Sequence, residues 1–182
     1  MEDFPIQNVF YFIGLLILLR GTFYMVKQKH AVIIERLGKF NKVSKAGLHL
    51  KIPFIDVIAG NVNLRVRELP VEVETKTKDD VFVRIVVSVQ FFVIAAVEGV
   101  KDSFYELNNP EQQIQSYVFD SIRSEVPLME LDDVFAEKEK IALAVQNELS
   151  GTMRQFGFDF IKALVTDIDP DAKVKHSMNE IN

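Results

Sequence analysis

Residues 71–94 read VEVETKTKDDVFVRIVVSVQFFVI, and the spacing of their apolar side chains decides the fold class. Val71, Val73 and Thr75 alternate with Glu72, Glu74 and Lys76, the period-2 pattern of a strand with one buried face. Lys78-Asp79-Asp80 is turn-prone. Beyond it Val81, Val83, Ile85, Val87, Val89, Phe91 and Val93 share one face while Arg84, Ser88 and Gln90 take the other. The two runs are therefore predicted to pair as an antiparallel hairpin, the longer one lying in the middle of its sheet.

Working back toward the amino terminus, Ala31-Val32-Ile33-Ile34-Glu35-Arg36 reads as a strand by its β-branched content, and Gly38, Gly47 and Pro53 punctuate the chain after it. In Asn61 to Leu69 the alternation of Val62, Leu64 and Val66 against Asn63, Arg65 and Arg67 predicts a further half-buried strand. Working forward, the period changes to that of helices after Ala95. A short helix is expected near Val97 to Leu107, then a longer one with Asn109 as N-cap and Pro110 as its first residue. Its stripe is Ile114, Tyr117, Val118, Ile122 and Val126, and Pro127 stops it. Asp132 or Asp133 is expected to cap the next helix, whose inner face steps through Ile141, Val145, Leu149 and Met153 to a C′ glycine at Gly157. Phe158 to Ile168 returns to strand, and Asp169-Pro170-Asp171 opens a last helix. That helix carries Val174, Met178 and Ile181 at helical spacing and reaches Asn182 after about three turns, too few for stability without packing, so it reads as the start of a longer one.

The first 26 residues stand apart. Val9 to Leu19 (Val9, Phe10, Tyr11, Phe12, Ile13, Gly14, Leu15, Leu16, Ile17, Leu18, Leu19) is unbroken apolar sequence inside a wider greasy stretch from Ile6 to Val26. Such a run suits a spanning helix or a re-entrant segment. A signal peptide is disfavoured because Met1-Glu2-Asp3 is acidic and no small-residue cleavage site follows Leu19. Acidic residues before and Lys27 and Lys29 after the segment predict that the bulk of the chain lies on the cytoplasmic side.

Composition narrows the chemistry. The net charge is -5, yet residues 27–51 carry seven Lys and Arg against Glu35 alone. A basic block beside an apolar segment suits anionic lipid head groups, whereas the acidic remainder would repel nucleic acid. The absence of Cys removes disulfides, thiolate metal sites, cysteine nucleophiles and S-palmitoylation. His30, His49 and His176 have no paired spacing for zinc or acid–base work. Asp167, Asp169 and Asp171 open like a calcium loop, but the sixth position is Ala172 and the twelfth Met178. Neither a glycine-rich phosphate loop nor a nucleophile elbow occurs, so no catalytic, cofactor or metal residue is assigned. The apolar loop Leu48 to Ile58, with Phe54 and Ile55 between Lys45, Lys51 and the following strand, reads equally as core filling or as a contact with the bilayer surface.

Several stretches together resemble the SPFH or band 7 superfamily, which includes stomatin, prohibitin and flotillin. They are AVIIERLGKF (31–40), Gly47-Leu48, Ile52-Pro53-Phe54-Ile55-Asp56, Leu64-Arg65-Val66-Arg67, Glu74-Thr75-Lys76-Thr77-Lys78-Asp79, YVFDSIR (117–123), Leu131-Asp132-Asp133-Val134-Phe135 and Asp167-Ile168-Asp169-Pro170-Asp171. The nearest branch is that of hypersensitive-induced-response and bacterial stomatin-like proteins. The resemblance implies an α+β fold, with a membrane anchor at 1–26, an SPFH domain at 27–170 (β-rich 27–94, helical and mixed 95–170) and a C-terminal helix beginning at 171–182. It implies a non-enzymatic homo-oligomer that organises membrane microdomains and regulates membrane proteins; the alternative is an adaptor of low stoichiometry on one membrane protease or channel. A membrane hydrolase is a third reading without an assembled nucleophile, base and oxyanion set. Two departures stand out: Ala46 where the family usually has proline, and an unusually apolar FVIAAV (92–97). The family's long Ala/Glu-rich coiled coil does not follow within 182 residues. On this reading Val9 to Leu19 insert, Lys27, Lys29, Phe54 and Ile55 meet the interface, and Val174, Met178 and Ile181 meet a neighbouring copy.

Overall fold

The computed structural model describes residues 11, 13, 14, 16 and 20–170, and it divides into two units. The first takes the described residues up to Arg65 together with Ala95–Lys101; the second takes Val66–Ile94 and the described chain from Asp102 onward. All strand pairing is antiparallel.

The first unit holds two small sheets. Strands β1 (Phe23–Val26) and β4 (Gly47–Leu50) form a two-stranded ribbon, while β2 (His30–Arg36) lies between β3 (Lys39–Ser44) and β5 (Asp56–Asn63). Ala31, Val32, Ile33 and Ile34 are all buried, which explains why this strand reads as continuously apolar. Irregular register beside Ile34 on both sides bends the sheet there. Tyr24 packs against the cluster of Val26, Val32 and Ile34, stacks on His49 and shares a hydrogen bond of 2.6 Å with Ser44.

In the second unit β7 (Phe82–Val93) is flanked by β6 (Arg67–Lys76) and β8 (Phe158–Pro170). The predicted hairpin and its central strand are present, and Val83, Ile85, Val87, Val89, Phe91 and Val93 form a buried row. Helix α1 (Val97–Tyr105) is divided between the units, its residues to Lys101 belonging to the first, and α2 (Pro110–Glu125), α3 (Leu131–Ala136) and α4 (Lys138–Met153) follow in the second. Asn109 accepts a hydrogen bond from the Gln112 N–H, as its N-cap position predicts. Ile114, Val118 and Ile122 of α2 and Ile141, Val145, Leu149 and Met153 of α4 are buried at their expected spacings, and Pro127 falls in a short 3-10 turn after α2. Gly157 has φ +80, the left-handed conformation that closes this helical region.

Three expectations need correction. The strand expected over Asn61 to Leu69 is two strands, because the Asn63 side chain accepts from the Arg65 N–H in a local turn that ends β5. Arg67 consequently lies over the Phe91 ring, 4.6 Å from its centroid, and not on a solvent row with Asn63. The helix expected from Asp132 is split at Glu137, and its cap is neither Asp132 nor Asp133. Both lie in the first turn of α3, and the Leu131 N–H donates to Asp79 from the hairpin turn at 3.1 Å. Strand β8 also continues through Asp169 and Pro170, where the sequence predicted a helix start; residues 171–182 lie outside the described part.

Candidate membrane-facing surface

Two strands with opposite demands on their faces build the surface. In β1 and β4 the register pairs Phe23 with Leu50 and Met25 with Leu48, so these four side chains project from one face of the ribbon. The other face carries Tyr24, Val26 and His49 and is packed; the first face is exposed, Met25 by 78%. Soluble surfaces rarely carry contiguous apolar patches of this kind without a partner.

The chain from β4 into β5 carries further exposed apolar side chains. Ile52, Phe54, Ile55, Val57 and Ile58 are exposed, Phe54 by 90%, so the loop of Leu48 to Ile58 is not core filling. What holds it is Asp56, which is 3% exposed. Its carboxylate accepts from the Arg36 guanidinium at 2.7 Å and 3.2 Å and from the Ile52 N–H at 2.9 Å, while the Asp56 N–H returns to the Ile52 carbonyl at 2.9 Å. The Arg36 hydrogen bond, then that of Ile52, hold the carboxyl down to about 2 against an ordinary 3.8. The loop is thereby closed on itself and Phe54 stands at its tip with φ +68.

Charge reinforces the pattern. Among the described residues of the first unit, Glu35, Asp56 and Glu98 are the acids, against ten Lys and Arg. The second unit carries the opposite balance, with nineteen Asp and Glu against nine Lys and Arg among its described residues.

Lys27 and Lys29 are exposed in the link between β1 and β2. Tyr11, Ile13 and Leu16 are helical and exposed, whereas Val9, Phe10, Phe12, Leu15, Ile17, Leu18 and Leu19 lie outside the described residues, as do Val174, Met178 and Ile181. Among the described residues no helix is long and apolar enough to cross a membrane, so the predicted transmembrane helix is not among the helices seen. Sequence reasoning missed Phe23 and Met25, whose alternation is hidden at the end of a longer apolar run, and Leu37, which sits in a two-residue turn.

The other shifted groups serve the fold. Asp79 is lowered by its Thr77 hydrogen bond, Arg84 is raised by Asp169 and Glu72 across three strands, and Lys140 is raised by Glu137. Among the described residues no group of three or more His, Asp and Glu is placed to hold a metal ion.

The chain is 42% identical over 158 residues to hypersensitive-induced response protein 4 of Arabidopsis thaliana, covering 86% of this chain and 53% of that protein. It is 28% identical over 156 residues to stomatin-like protein stl-1 of Caenorhabditis elegans, with 84% and 46% covered. An uncharacterised protein of Methanocaldococcus jannaschii is 29% identical over 155 residues, with 85% and 75% covered. The chain thus spans about half the length of the first two relatives. The profile of the SPFH domain / Band 7 family matches residues 24–182, taking in both units, and the chain belongs to that family.

Proposed function

We propose that this chain is a membrane-anchored scaffold subunit whose first unit rests against the cytoplasmic face of a bilayer and whose copies assemble side by side. In that arrangement it organises a lipid microdomain and alters the behaviour of embedded proteins. Val9 to Leu19 insert, Lys27 and Lys29 set the orientation, and Phe54 and Ile55 enter the interface. Val174, Met178 and Ile181 meet the next copy. The observation that carries the reading is the exposed apolar ribbon face of Phe23, Met25, Leu48 and Leu50, together with the exposed loop tip Phe54, in the unit where basic residues outnumber acidic ones. Apolar burial supplies affinity, and Lys and Arg near an anionic surface add about 1 kcal/mol each. Family membership and relatives named as stomatin-like and hypersensitive-induced response proteins support the same reading.

The chain has no tryptophan, so Phe54→Trp places a single indole at the loop tip. In full-length protein reconstituted into vesicles, its emission is expected to shift to the blue and to be quenched by brominated acyl chains. Phe82→Trp, at an exposed site in the second unit, is expected to stay unquenched. Water-like emission from the Phe54 site refutes surface contact. Cross-linking in native membranes tests assembly: a ladder of higher oligomers is expected, and a monomeric band alone, or a fixed small complex with one partner, refutes the scaffold.

A further inference from the structure

Leu37 and Gly38 form the whole connection between β2 and β3, with Arg36 paired to Lys39 across it. Both turn residues have positive φ, +52 and +78, the requirement of a tight hairpin turn that ordinarily selects Asn-Gly or Asp-Gly. Leucine is a poor choice there. A bulky side chain in left-handed backbone is strained and gains nothing from burial, since Leu37 is 80% exposed. Phe54 is in the same situation, at φ +68 and still more exposed.

These two strained apolar tips are joined. The Leu37 N–H donates to the Ile55 carbonyl at 3.3 Å, and the neighbouring residues Arg36 and Asp56 form an ion pair at 2.7 Å. The Leu37 turn is therefore tied to the Phe54–Ile55 loop, with exposed Lys39 directly after it. We infer that Leu37 is a second insertion tip that enters the interface of an anionic bilayer together with Phe54. The inference rests on the membrane contact proposed above and deepens it. A bilayer surface fits the occupant because apolar side chains are flanked by Lys and Arg in a unit with few acids. Lipid contact also stabilises an exposed leucine where water favours asparagine.

The test uses full-length protein in vesicles of phosphatidylcholine with and without phosphatidylserine, with L37W and F54W made separately. Quenching of L37W by lipids brominated near the head group, several-fold stronger with phosphatidylserine and comparable in depth to that of F54W, is the expected result. If F54W is quenched and L37W is not, the second tip is refuted while the membrane reading stands. If neither is quenched, the surface contact proposed above fails as well. Equal quenching with and without phosphatidylserine refutes the anionic preference. L37N guards against misfolding: combined with F54W it is expected to keep the thermal midpoint or raise it, and to reduce quenching several-fold. Unchanged quenching in that double variant overturns the inference.

Discussion

Replacing Phe54 by glycine is expected to leave the protein as stable as before or to make it more stable. The residue sits at φ +68, where a bulky L side chain costs roughly 1–2 kcal/mol. Glycine removes that strain and adds roughly 0.5–1 kcal/mol of lost backbone freedom on folding. Little packing is lost, because the ring is 90% exposed. A tenth of the roughly 1.5–3 kcal/mol for a fully buried phenylalanine is about 0.2–0.3 kcal/mol. The net effect falls between near neutrality and about 1 kcal/mol of stabilisation, or up to about 2–4 °C in midpoint for a chain of this size. Phe54→Ala separates the two contributions: it removes the ring but keeps a Cβ in left-handed backbone, so it is expected to lie about 1 kcal/mol below Phe54→Gly. The assay is urea and thermal unfolding of the full chain in mild detergent, followed by far-ultraviolet circular dichroism. A glycine variant less stable than the parent by more than about 1 kcal/mol refutes the reasoning, since Phe54 would then be packing against the fold.

Asp56 gives the fold an acid limb. Its carboxyl is held down to about 2 from 3.8, so the Arg36 pairing stabilises fully above the unfolded value and is lost as pH falls through about 2. Asp56→Asn is expected to lower stability at neutral pH and to flatten the dependence between pH 4 and 2 in unfolding midpoints; an unchanged profile contradicts the assignment. In the core, Ile85→Ala removes a completely buried side chain from the central strand and is expected to cost roughly 2–5 kcal/mol by urea unfolding. At the start of α2, Asn109→Ala deletes the bond to the Gln112 N–H and is expected to cost about 1 kcal/mol in the same assay, with Asn109→Ser retaining most of it.

The sequence by itself determined the elements whose signals are local. The β6–β7 hairpin follows from a period of two around Lys78-Asp79-Asp80, and α2 from Asn109, Pro110 and a stripe at Ile114, Val118 and Ile122, because the side chains that define each element lie within a few residues of one another. Only the tertiary structure decided where local patterns compete with distant partners. Alternation over residues 61–69 looks like one strand, yet Asn63 turns the chain. Asp132 and Asp133 look like caps, yet the carboxylate on the Leu131 N–H comes from Asp79, 52 residues earlier. The candidate surface divides the same way. Apolar content and basic flanks make Phe54 and Ile55 legible as interface candidates. Their exposure, and that of Leu37, Phe23 and Met25, depends on cross-strand register and on the Arg36–Asp56 pair, which bring together residues 20 or more apart. A leucine in sequence gives no sign of whether its neighbours in space are core or solvent; backbone hydrogen bonds between strands settle that, and here they leave the apolar tips facing outward.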